Sequence, residues 1–109
     1  MAILEYCLLL FINLQTKQIM SFNEKWNSNH ILIIEQRFAI LHEGAIKKWE
    51  LRFDDRKFKQ GEFIEFIVID DNTQQPTGHV FYRRILDVFN QTEYGLQEGY
   101  VILSLSPLY

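Results

Sequence analysis

From residue 47 to residue 106 this sequence reads as one strand after another, each bounded by turn residues. Trp49, Leu51 and Phe53 alternate with Lys48, Glu50, Arg52 and Asp54. A period of two sends successive side chains to opposite faces of an extended chain, so this run predicts a half-buried strand with its aromatic side on a core and its charged side in water. Residues 62–69, Glu-Phe-Ile-Glu-Phe-Ile-Val-Ile, predict a strong, mostly apolar strand. Residues 70–78 hold Asp-Asp-Asn, Pro76 and Thr77-Gly78, the chemistry of a wide hairpin loop. Residues 79–89 alternate again, with Val80, Tyr82, Leu86 and Val88 interrupted on their face by Arg84, and should pair antiparallel with the strand before. A loop with two glycines at 91–99 leads to a last strand at 100–106.

Ahead of this region, residues 30–34, His-Ile-Leu-Ile-Ile, form a short β-branched run of the kind a buried strand shows. Ile34, Phe38 and Leu41 then fall at i, i+4 and i+7 with Gly44 behind them, one apolar face of a short helix and its stop. Strand, helix and four further strands make an α+β fold, mostly β. A curled antiparallel or mixed sheet with one helix plugging an end buries these faces best. The chain has 109 residues, enough for one compact domain, and its 48% hydrophobic content allows a core without disulfides or a structural metal.

Residues 1–29 are set apart from the domain at 30–109. An apolar stretch runs from Tyr6 to Ile12, polar residues follow to Gln18, and a second methionine stands at Met20. Either residues 3–12 pack on the domain as a strand or helix, or the leader is an upstream extension and the start is Met20. Residues 20–29 read as a polar lead-in loop anchored by Trp26. No run reaches the ~20 apolar residues of a membrane-spanning helix. Glu5 stands where a signal peptide would be basic, and no small-residue cleavage site follows. The single cysteine, Cys7, excludes a disulfide within the chain and fits a reducing compartment, so the expectation is a cytoplasmic protein without a membrane partner.

Charge is distributed unevenly. The net formal charge is −3, which excludes a globally basic nucleic-acid coat. Yet residues 47–59 carry six basic and three acidic side chains, against five basic and eleven acidic elsewhere. Two readings follow: a solvated strand face with cross-strand ion pairs, or an anion-holding surface in which guanidinium groups grip phosphate and Lys acts as a point charge. Glu50 and Arg52, two apart, project from the same face. A carboxylate beside a guanidinium stays ionised and suits a fixed acceptor better than a general base.

The usual signatures of catalysis are missing. His30, His42 and His79 lie at no metal-ligand spacing, and there is no Gly-x-Ser-x-Gly, Walker or dinucleotide fingerprint. No metal, cofactor or catalytic residue is therefore assigned. The interleaved aromatics Trp49, Phe53, Phe58, Phe63, Phe66, Phe81 and Tyr82 read as core; Phe58 and Tyr100, at loop boundaries, are the candidates for exposed stacking surfaces.

One ordered set of residues resembles a known family. His30-x-Leu32, Phe38, the run from Lys47 through Trp49, Glu50, Arg52, Asp55 and Arg56 to Phe58, Gly61-Glu62, Thr77-Gly78, and the closing Gly95-x-x-x-Gly99-Tyr100-Val101 resemble a domain-of-unknown-function family of small bacterial and phage proteins related to the ASCH domains of the PUA-like superfamily. The resemblance covers about residues 30–105. It implies a PUA-like β-barrel with a short helix beside a cleft. Relatives in that superfamily bind RNA or modified bases, and some hydrolyse a modified nucleoside. By motif, Lys47, Glu50 and Arg52 match the ASCH lysine, glutamate and arginine of the cleft, while Asp55 and Arg56 are the subgroup's addition. The chain departs from the pattern in three places: the turn between Gly44 and Glu50 is one residue longer, Lys48 replaces the threonine of the hydrolytic relatives, and His79 replaces a basic residue after Thr-Gly.

The expected function is thus non-enzymatic binding of nucleic acid, RNA favoured, or of a nucleotide. Lys47, Lys48, Arg52 and Arg56 would meet phosphate, Glu50 would accept from a base or amino group with Asp55 near by, and His30 would stand at the cleft edge. The alternatives are hydrolysis of a modified nucleoside with Lys47 as base or nucleophile, and a protein-interaction module that relies on exposed apolar residues.

Overall fold

The computed structural model describes residues 28–109. The leader, Cys7 and the lead-in loop up to residue 27 lie outside the described residues. Five strands and one helix follow in the expected order: β1 (His30–Glu35), α1 (Gln36–Glu43), β2 (Trp49–Phe53), β3 (Phe63–Ile69), β4 (Pro76–Phe89) and β5 (Tyr100–Leu105), with a 3-10 turn at Thr92–Tyr94 between β4 and β5. They form one mixed sheet in the order β1-β3-β4-β5-β2, in which β1 runs parallel to β3 and all other neighbours are antiparallel.

The sheet curls around a core of Leu32, Ile34, Ile64, Phe66, Val68, Phe81, Ile85, Val101, Leu103 and Leu105, joined by Ala39 from α1 and by Phe58. Curling brings the two edge strands, β1 and β2, towards each other, but they do not pair. The expected barrel is an open sheet. Two guanidinium groups span its seam: Arg52 Nη2 donates to the Ile33 carbonyl at 2.9 Å, and Arg56 Nη1 donates to that of Ile31 at 2.6 Å. On the other face of the sheet Ile67 and Ile69 form a second buried cluster with Ile31, Ile33 and Val80.

The hairpin between β3 and β4 is tighter than its composition predicts. Asp70 Oδ1 accepts from the backbone N–H groups of Asn72 and Thr73, and Asp70 N donates to the Gln75 carbonyl, so β4 begins already at Pro76. A side-chain oxygen that stands in for a backbone partner closes such a turn early.

Three expectations about faces are overturned. Helix α1 buries Ala39 and His42, not Phe38, which is 38% exposed; Ile34 belongs to β1 and contributes nothing to the helical face. In β4 the inward residue is Arg83, 2% exposed, whereas Arg84 lies outside. Most consequential, β2 is inverted. Trp49, Leu51 and Phe53 are exposed while Glu50 is buried and Arg52 half-buried. The register explains it: Glu50 lies opposite Leu103 and Arg52 opposite Val101, the inward residues of β5, so the charged side of β2 faces the interior. Phe58, read with the core aromatics but singled out as a candidate for an exposed stacking surface, is buried.

Candidate nucleic-acid interface

A carboxylate moved from water into an interior of low dielectric is strongly unfavourable unless donors replace its hydration. Glu50, 4% exposed, has four such contacts. His42 Nε2 and Lys47 Nζ both lie 3.1 Å from Oε1. Arg52 reaches Oε2 through Nε at 2.8 Å and Nη2 at 2.8 Å. Burial by itself raises the Glu50 pKa, but the His42 hydrogen bond and the charges of Arg52 and Lys47 outweigh it and hold the group at about 2. The carboxylate is therefore ionised throughout the neutral range, and its lone-pair directions are engaged within the protein.

The elements that converge here are far apart in sequence. After α1 the chain reverses, with Ile46 N and Lys47 N both donating to the Leu41 carbonyl, and this lays Lys47 beside the strand that carries Glu50. His42 comes from the last turn of α1, and Arg83 arrives from β4. Arg83 Nη1 is 2.7 Å from His42 Nδ1 and donates to the Lys47 carbonyl at 2.8 Å, while its Nε donates to the Ser106 carbonyl at 2.7 Å. An arginine can only donate, so His42 Nδ1 is the acceptor. The ring hydrogen then sits on Nε2 and points at Glu50. Arg83 thus orients His42, and His42 helps to fix Glu50.

In front of this cluster opens a cleft of about 500 Å³ along the seam of the sheet. Lys47, Glu50, Arg52, Arg56 and Leu51 line one side; Ile33, Ile34, Glu35, Phe38, Ile69 and Gln74 line the other. Glu35, the second carboxylate of the cleft, is partnered by Arg37 Nη2 at 3.4 Å and Gln74 Nε2 at 3.3 Å. Lys47 donates one of its three N–H groups to Glu50, and Arg52 Nη1 has no hydrogen-bond partner among the described residues. The carboxylates are occupied internally, and the cations retain donors to offer.

Of the residues singled out from sequence, Lys47, Glu50, Arg52 and Arg56 come together in this cleft. Asp55 is exposed on its rim and pairs with Arg56 at 3.4 Å. Lys48 points elsewhere, to a separate cavity of about 530 Å³ that it lines with His42, Glu43, Arg83 and Leu105. His30 stands apart too: its Nε2 lies 2.7 Å from Glu62 Oε1 and its ring packs edge-on against Phe58. The sequence reading missed His42 and Arg83 beneath the cleft and Phe38 on its wall. For His42 a signal did exist, since a histidine eight residues before the motif glutamate lies in the helix that must pack beside that strand; for Arg83, 41 residues from His42, there was none.

Among the described residues no group of three or more histidine, cysteine, aspartate or glutamate side chains is placed to hold a metal ion. No described helix is long and apolar enough to cross a membrane.

Residues 29–105 match the family described as Domain of unknown function (DUF3850), and the chain belongs to that family. A search of curated proteins finds no match.

Proposed function

We propose that this member of an uncharacterised domain family is a binding module for nucleic acid, RNA favoured, or for a nucleotide, and that the seam cleft holds the phosphate. One observation carries the reading: Lys47, Arg52 and Arg56 converge in a single concavity whose carboxylates are already partnered. Guanidinium groups with free N–H edges in a recess match phosphate oxygens in geometry as well as in charge. The resemblance to ASCH domains of the PUA-like superfamily supports the same reading, because the lysine, glutamate and arginine of that motif fall on Lys47, Glu50 and Arg52. Glu50 takes a different part from the one its sequence position suggests. With both oxygens engaged it positions the cations and leaves contact with the ligand to them.

Hydrolysis fits the geometry less well. In the reading with Lys47 as base or nucleophile, Glu50 is the partner that would take up a proton near neutrality, and it is held at about 2 with both oxygens already engaged by His42, Lys47 and Arg52.

The test is the salt dependence of binding to a short RNA of eight uridines. Each phosphate contact contributes about 0.7 to the slope of log K against log salt for a single strand. Arg52→Ala should weaken binding and lower the slope by about that amount, and Arg56→Ala should act in the same direction. Unchanged affinity and slope in both variants would remove the cleft from the binding surface.

A further inference from the structure

At the mouth of the cleft four side chains alternate between cation and ring. Arg37 Cζ lies 4.8 Å from the centroid of the Phe38 ring, Lys47 Nζ lies 5.2 Å from that same centroid, and Lys47 Nζ lies 4.8 Å from the centroid of Trp49. Arg37 and Phe38 come from the first turn of α1, Lys47 from the turn that follows the helix, and Trp49 from the start of β2. None of this is core. Phe38 is 38% and Trp49 48% exposed, and the Arg37 side chain is 62% exposed. Two large rings left in water give up the gain of burial, and here they stand directly against the cations of an anion-binding recess.

A row of this composition matches one class of polymer. In an unpaired strand of nucleic acid, phosphates recur with free bases between them, and every base presents a flat face that stacks on an aromatic side chain regardless of sequence. A duplex keeps its bases stacked inside and offers such a row only its phosphates. Continuity with the cleft is direct, because Phe38 and Lys47 are part of its lining.

We propose that Arg37, Phe38, Lys47 and Trp49 form a stacking platform and that the ligand of the cleft is an unpaired stretch of nucleic acid, with bases on Phe38 and Trp49 and phosphates on Arg37, Lys47, Arg52 and Arg56. This rests on the reading of the cleft as a phosphate site and adds the part of the ligand that the rings recognise.

The experiment compares three fluorescent probes of equal length by anisotropy: an eight-uridine RNA, an abasic strand with the same number of phosphates, and an eight-base-pair duplex. Wild-type protein binds the uridine strand most tightly. Trp49→Ala weakens that binding roughly tenfold, within the range of one base–aromatic stack, leaves the abasic strand unaffected and keeps the salt slope. Phe38→Ala acts alike, and Trp49→Phe restores part of the loss. Both rings are exposed, so unchanged thermal melting of the variants shows that the fold is intact. Equal affinity of the wild type for all three probes, or no loss in Trp49→Ala and Phe38→Ala while Arg52→Ala weakens binding, would overturn the stacking platform and leave the phosphate site standing. Loss of neither kind in any variant, or no binding of any probe, would overturn both.

Discussion

Glu50 in β2 and Glu65 in β3 are two buried carboxylates of the same sheet, 4% and 1% exposed, and their environments move them in opposite directions. Burial raises both. For Glu50 that push is outweighed by the His42 hydrogen bond, Arg52 and Lys47, and the group sits at about 2. For Glu65 burial prevails, with only a Tyr82 hydroxyl working against it, and the pKa is raised. Depth therefore does not decide the state of a buried acid; the donors that meet it do. The contrast also shows what the cleft is built around: a fully partnered anion that holds an excess of cations in place, which no apolar residue at that position could do.

The sharpest way to break this contrast is to remove each carboxylate in turn. Glu50→Ala leaves Lys47, Arg52 and Arg83 facing one another without an anion, and should cost about 3–5 kcal/mol in urea unfolding, the range for breaking a buried ion pair from one side. A loss below about 1 kcal/mol would show that the cluster does not need its acceptor. The second effect is a pH dependence. The folded-state value of Glu50 lies below the ordinary 4.5, so its contribution is fully present above about pH 4.5 and is lost as pH falls towards about 2. A shift of this size corresponds to roughly 3 kcal/mol. The stability gap between wild type and Glu50→Gln should accordingly narrow over that interval; a gap independent of pH would mean that Glu50 is not the group that titrates. The smallest effect belongs to Glu65. Its raised value means that the fold favours the protonated form, so Glu65 costs stability as pH climbs above the ordinary 4.5. Glu65→Gln should change stability at neutral pH by no more than about 1 kcal/mol, or raise it, since an amide keeps a hydrogen-bonding group there without the charge. A loss as large as that of Glu50→Ala would erase the distinction between the two sites.

How far the sequence carries depends on which forces act locally. Element order and strand positions followed from periodicity and turn chemistry, which act over a few residues, whereas grouping Lys47 with Glu50 and Arg52 came from the family resemblance, since alternation alone puts Lys48 on their face. The orientation of β2 did not. Alternation says that Trp49 and Glu50 face opposite ways, but only pairing with β5 says which way is in, and that choice is made by Leu103 and by donors from His42 and Lys47. Hydrophobicity alone points to the wrong answer there, because a fully partnered carboxylate competes with an indole for the interior. The same holds for Arg83 against Arg84: adjacent residues of one type, separated by a register that a strand irregularity between Ile85 and Asp87 helps to set. The opening of the sheet was equally beyond reach, as the count of strands does not tell whether the first and last will meet.

The two guanidinium groups across that opening have a bearing on how molecules of this protein behave towards one another. An unpaired outer strand normally displays a row of backbone acceptors to which a neighbour's strand can zip, the first step of aggregation. Along β1 the carbonyls of Ile31 and Ile33 are already taken, by side chains too bulky and too charged for an incoming backbone to replace without stranding a cation. Arg52 and Arg56 thus double as guards on β1, an outer strand among the described residues, and anything that drew them away would uncover it.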